Sequence, residues 1–195
     1  FEKNQNQVTK VITSKGTYDS DIVISGADYQ HTDSKLLNGS ANYSSKYWDK
    51  RVMAPSCLLF YVGVNKRLNN IEHHNLFFDE SLEEHGKEIY KNPQWPSSPL
   101  FYLCAPSVTD KSVAPKGCEN LFFLMPIAPD LADSEANREK YFKILLKRLE
   151  KRTGNDISDN IVYKKSFCID DFKNEYNAFK GNAYGLANTL KQTAV

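Results

Sequence analysis

Four short apolar runs each carry two aromatic residues side by side: Phe60-Tyr61, Phe77-Phe78, Phe101-Tyr102 and Phe122-Phe123. Successive side chains of an extended strand point to opposite faces, so each doublet delivers a ring to both sides of a sheet. A sheet that is apolar on both sides needs helices against one of them and something else against the other. The runs span Cys57 to Val64, Leu76 to Phe78, Leu100 to Cys104 and Leu121 to Ile127. They are rich in Phe, Tyr, Leu and Val, bounded mostly by Pro, Asn, Asp or Gly, and read as an antiparallel sheet. The continuous aromatic face is either core or the wall of a channel for a long apolar ligand.

Helical periodicity appears between and after these runs. Glu80 to Lys91 is stopped by Pro93. Ser134 to Thr153 places Tyr141, Phe142, Leu145, Leu146 and Leu149 on one face and is closed by Gly154. A last helix is expected to begin near Asp170 or Asp171 and to include Phe172, Tyr176 and Phe179. Upstream, Val8 to Thr13 and Ile22 to Ile24 read as a hairpin around Lys15-Gly16. The polar stretch Asn38 to Arg51 reads as a mobile loop. The fold class is therefore α+β, an antiparallel sheet with helices packed on one face and the other free to line a cavity.

The net charge of +1 provides no basic stripe, so nucleic acid is not an expected partner. The apolar runs are far shorter than the roughly 20 residues that cross a bilayer, although contact with a membrane surface stays open. The first residues lack a starting Met and show no leader pattern, and the chain is expected to begin within a longer protein. Cys57, Cys104, Cys118 and Cys168 form no CxxC pair, and Cys57 and Cys104 read as small buried hydrophobes in a reducing cytosol.

Motifs that carry chemistry are sparse. Neither G-x-G-x-x-G nor G-x-x-x-x-G-K-[ST] occurs, and Ser56 has no base at a diagnostic spacing. The acidic residues read as caps and solvated faces, and no catalytic residue is assigned. His73-His74 invites a metal reading, but neighbours on an extended chain point apart, so the pair reads as capping or packing and no metal is expected. Gly181, Ala183 and Gly185 around Tyr184 read either as a cap and turn or as backbone that lies close to a ligand.

Four segments together bear on that choice: Asp21 to Asp28 (DIVISGAD), Pro55 to Val64 (PSCLLFYVGV), Pro106 to Gly117 (PSVTDKSVAPKG) and Gly181 to Ala194 (GNAYGLANTLKQTA). In this order the chain resembles the bacterial-type phytoene desaturases, flavin enzymes that include carotenoid desaturases and isomerases and are related to retinol saturase and, more distantly, amine oxidases. It departs mildly, with Gly26 where Asn is frequent and Asn188 where Pro or His is common. The resemblance implies an interior substrate domain flanked by missing flavin-binding halves. Residues 1–33 would be a hairpin edge of the flavin domain, 34–180 the substrate domain and 181–195 the return segment.

It further implies FAD as cofactor and a long apolar polyene, a carotenoid, as substrate. Such an enzyme would pass a hydride to FAD and a proton to a base or water, and the isolated domain would be inactive. Phe60, Val62, Leu103, Phe122 and Leu124 are the implied substrate lining, and Gly181, Ala183, Tyr184 and Gly185 the residues nearest the flavin. A cytoplasmic location with peripheral contact at the inner membrane surface follows from the same resemblance. A related flavin oxidoreductase acting on a retinoid or an amine, and a stand-alone apolar-ligand module, are the alternatives.

Overall fold

The computed structural model describes residues 1–4, 7–37 and 39–192. The end of the return segment, 193–195, and Asn38 lie outside the described residues. Three strands open the chain: β1 (Glu2–Asn4), β2 (Gln7–Thr13) and β3 (Gly16–Asp19), with β2 in the middle. The hairpin forms, but its second arm is Gly16–Asp19, with Lys10 opposite Asp19 and Thr13 opposite Gly16. Ile22 and Ile24 lie beyond the ladder and are 81% and 92% exposed. Their β-branched character misled because the register is set by the tight turn at Ser14-Lys15, which leaves them no place in the pairing.

Next come α1 (Tyr29–His31), capped by the Asp28 carboxylate, a π turn over Thr32–Leu36, and α2 (Ser45–Asp49), capped by the Ser44 hydroxyl. The buried Asp33 carboxylate accepts from the amides of Asn42 (2.7 Å) and Tyr43 (3.3 Å), from the Asn42 side chain and from the Trp48 indole N–H (3.1 Å). Trp48, also buried, meets Tyr29 and Tyr47 edge-on. A buried carboxylate needs such donors. The polar stretch read as a loop is in this way folded around an Asp33–Trp48 centre.

The main body comprises β4 (Ser56–Val64), β5 (His74–Phe77), α3 (Leu82–Tyr90), β6 (Phe101–Cys104), β7 (Glu119–Ile127), α4 (Glu135–Thr153), β8 (Ile161–Phe167) and α5 (Ile169–Tyr176). All pairs in its five-stranded sheet are antiparallel, in the order β5-β6-β7-β4-β8. The four strands read from the aromatic runs are present, and β8 is an addition. Phe179 falls outside the last helix, in a short 3-10 turn after Asn177 takes a left-handed conformation.

One face of the sheet is closed by α4. Leu58, Phe60, Val62 and Val64 of β4, Phe101 and Leu103 of β6, and Leu121, Phe123, Met125 and Ile127 of β7 form a single cluster with Tyr141, Phe142, Leu145 and Leu149. The Phe142 ring sits 5.0 Å from that of Phe60. Ser134 caps the start of α4, and Gly154, at φ 71°, ends it.

Arg138 then ties three elements together through Asp133 (2.5 Å), Asp171 (2.8 Å) and the Ser166 hydroxyl (3.2 Å). Burial would raise the Asp133 carboxyl, but its bonds to Arg138 and the Asp170 amide outweigh this and hold it below the ordinary carboxylate value.

Candidate functional site

The other face of the sheet follows from strand register. Lys165, Tyr61, Phe122, Cys104 and His74 lie side by side across β8, β4, β7, β6 and β5. A second row, one pleat away, reads Phe167, Leu59, Leu124, Tyr102 and Leu76 in the same strand order. Cys57 opposite Pro126 begins a third. Tyr61 and Phe122 rings are 5.2 Å apart. Tyr61 is 42% exposed, Leu76 65% and Phe78 62%, so this apolar face is open over much of its area.

Two hollows flank the pair Phe122 and Leu124. One of about 350 Å3 runs from Leu124 and Pro126 past Tyr102 to Leu76, Phe78 and Ile89. The other, of about 220 Å3, lies between Phe122, Tyr61, Gly63 and Tyr163. Phe122 and Leu124 are thus the two expected lining residues that face the opening. Phe60, Val62 and Leu103 are buried in the cluster closed by α4, and of these three Val62 also borders the smaller hollow. Within each aromatic doublet one ring goes each way, and which one depends on the register of the neighbouring strand.

His85 of α3 borders the larger hollow. Its Nδ1 accepts from the Leu100 amide (3.0 Å) and its Nε2–H donates to the Pro126 carbonyl (2.9 Å). The neutral ring satisfies both partners, and burial lowers its pKa below the ordinary 6.5. A proton on Nδ1 would face the Leu100 N–H. Because the folded value lies below the unfolded one, the stability contributed is present above the unfolded pKa and is lost as pH falls through the folded pKa. Urea midpoints are expected to drop between about pH 7.5 and about pH 5.5 in the wild type, and less in His85→Gln. Equal drops in both proteins would refute the assignment.

At the β4 end of this face the chain's two outer segments meet. Ala183 packs on the Cys57, Leu59 and Phe167 cluster, and the Ala183 amide donates to the Pro55 carbonyl (3.0 Å). The Asn182 side chain donates to Asp28 (3.1 Å) and accepts from the Gly185 amide (2.5 Å). Gly26, Ala27 and Asp28 from one segment and Asn182, Ala183 and Gly185 from the other line a cavity of about 410 Å3. A Cβ added at Gly26 or at Gly185 would meet no atom within 4 Å. Their smallness leaves room in the cavity and is not demanded by the packing of the chain on itself.

The four residues expected near a flavin divide accordingly. Ala183 and Gly185 line the cavity, whereas Gly181 is buried with its Cα turned onto Ile169. Tyr184 reaches instead toward the open sheet face, with its hydroxyl 3.8 Å from Cys57 Sγ. Burial raises the Cys57 thiol to about 11 and the Tyr184 phenol to about 12, so both stay uncharged near neutrality. Asn182 and Asp28 escaped sequence reasoning because their link spans 154 residues. Leu59 and Tyr61 were findable only from register with Phe122 and Leu124.

His73 and His74 are not turned apart. His73 stands just before β5, and the two rings lie 4.2 Å centroid to centroid, so the alternation expected of an extended strand does not govern the pair.

No family model matches the chain. It is 44% identical over 176 residues, 90% of its length, to a carotenoid 3,4-desaturase of Haloarcula japonica, and 31% identical over 89% of its length to a 4,4'-diapophytoene desaturase of Staphylococcus haemolyticus. The chain belongs to the carotenoid desaturase family. A 4,4'-diapolycopen-4-al dehydrogenase of Metabacillus indicus matches 98% of the chain at 28% identity. The chain spans 36 to 40% of the length of these curated relatives.

The Pro106 to Gly117 segment shapes the connection between β6 and β7. Ser107 and Asn120 exchange bonds, the Ser107 amide to the Asn120 side chain (3.2 Å) and the Asn120 amide to the Ser107 hydroxyl (3.0 Å). That hydroxyl also donates to the buried Glu119 carboxylate, which pairs with Arg67 (3.1 Å). Among the described residues no helix is long and apolar enough to cross a membrane.

Proposed function

We propose that the open sheet face binds a long polyene in an FAD-dependent carotenoid desaturase, and that this chain supplies the substrate-binding part. The observation that carries the reading is the double row of register-matched apolar side chains, centred on Tyr61, Phe122, Leu59 and Leu124, with a hollow at each end. A hydrocarbon chain has no polar handle. Its recognition rests on apolar area removed from water, worth about 25 cal/mol per Å2. In this reading residues 34–180 form the substrate domain of an amine-oxidase-like flavoprotein, and residues 1–33 and 181–195 its margins toward a flavin-binding part.

The cavity between Gly26 and Gly185 fits the edge of a flavin, because a Cβ at either glycine would project into open space there. Ala27, Asp28, Asn182 and Ala183 would hold that edge. When bound, FAD would supply the acceptor for a hydride from one C–H bond of a saturated –CH2–CH2– unit, the hydrogen of the neighbouring carbon leaving as a proton to a base or water. The chain's own part is to orient the polyene along the two rows and to exclude water. Uncharged Cys57 and Tyr184, where the face approaches the cavity, suit a hydrocarbon path. Peripheral contact with a membrane surface would let such a substrate enter from the bilayer, in keeping with a cytoplasmic protein.

The test is induced circular dichroism of detergent-dispersed phytoene-derived carotenoid added to the protein. The wild type is expected to give an induced signal in the polyene band, and Leu124→Asp to lose it while keeping its far-UV spectrum. An unchanged signal in Leu124→Asp would overturn the proposed face.

A further inference from the structure

We propose that His73, His74 and Cys104 form a binding site for a zinc-class divalent cation. Each offers one ligand atom, and the three atoms lie within 4.8 Å of one another. A tetrahedral zinc ion with bonds of about 2.0 to 2.3 Å draws its ligand atoms to within about 4 Å of each other, so the cluster needs only small side-chain rotations to close on an ion. The fold holds the three together: His74 is directly across from Cys104 in the β5–β6 ladder. The His73 carbonyl accepts from the Ala105 amide at 2.8 Å, which extends the pairing by one more bond.

The second, independent observation is that Nδ1 of each ring is held by a hydroxyl. His73 Nδ1 bonds Thr109 Oγ1 at 2.7 Å, and that hydroxyl spends its own hydrogen on the Pro106 carbonyl (3.3 Å). With that hydrogen on the Pro106 carbonyl, Thr109 accepts from His73 Nδ1–H, and in this tautomer Nε2 keeps a free lone pair for an ion. His74 Nδ1 is likewise engaged by the Tyr102 hydroxyl at 2.6 Å. Metal-ligating histidines are oriented by such bonds on the other nitrogen. Two imidazoles and a thiolate form a borderline-soft donor set that selects zinc over magnesium or calcium. His74 is exposed, so a water completes the fourth position.

The ion would clamp the edge strand β5 to β6 at the border of the open face, since Cys104 adjoins Phe122. It does not depend on the polyene reading. Cobalt(II) titrated into the purified, reduced protein is expected to bind at one equivalent, to give a thiolate-to-metal charge-transfer band and to release a proton from Cys104. Cys104→Ser should abolish the band. Thr109→Val, which keeps all three ligands, should weaken affinity about tenfold. Zinc should raise the melting temperature of the wild type and not of Cys104→Ser. A folded wild type without the band, or a band that survives in Cys104→Ser, overturns the site.

Discussion

Gly181→Ala is expected to lower the unfolding free energy by about 3 kcal/mol, the sum of left-handed backbone strain and overpacking. The backbone at Gly181 has φ 64°, and a Cβ there would lie 2.6 Å from Ile169 Cγ2 and 2.7 Å from the Ile169 carbonyl oxygen. The second contact is with backbone, at the first residue of α5, so relief requires moving the helix itself. In a chain of this size the loss corresponds to a melting temperature lower by roughly 10 °C. Gly185→Ala is the comparison. It has a similar φ, 81°, but open space around the added methyl, and should cost only the backbone strain of about 1 kcal/mol. Equal melting temperatures for Gly181→Ala and Gly185→Ala would show that Gly181 is not packed on Ile169.

The same two glycines show what the sequence could and could not reveal. Their spacing around Tyr184 marks a backbone that turns, but whether a Cβ would meet Ile169 or open space is decided by residues remote in the chain. The strands were legible where apolar runs were bounded by turn residues, and α4 where its leucines recur at three and four residue steps. β8 was hidden because Lys164 and Lys165 interrupt its apolar character. Such lysines belong to an edge strand, and β8 is at the edge. Trp48 sat in a polar stretch whose order depends on Asp33, fifteen residues earlier.

Site reading met the same limit. The apolar face was visible as aromatic doublets, yet a doublet is symmetric with respect to the two faces. Phe60 and Leu103 went to the α4 side, while Phe122 and Leu124 went to the open one. For His73-His74 the alternation rule was applied one residue too early, since β5 starts at His74.

The adjacent rings Phe122 and Phe123 convert this into the sharpest available contrast. Phe123→Ala is expected to cost about 4 kcal/mol, because its fully buried ring packs on Phe101 and on Phe142 of α4 and would leave a cavity that the sheet cannot collapse to fill. Phe122→Ala removes a ring that is only half-buried beside Tyr61, and should cost about 1 kcal/mol. Polyene affinity should respond in the reverse order. Phe122→Ala loses a ring of the proposed binding row, and a deficit of about 1.4 kcal/mol is a tenfold weaker dissociation constant. Phe123→Ala, measured well below its melting temperature, should bind polyene nearly as the wild type does, because no atom of that ring reaches the open face. Paired melting curves and carotenoid titrations of the two variants separate the faces. If Phe123→Ala weakened binding as much as Phe122→Ala while both stayed folded, the polyene would have to lie on the α4 side of the sheet, and the open face would need another occupant.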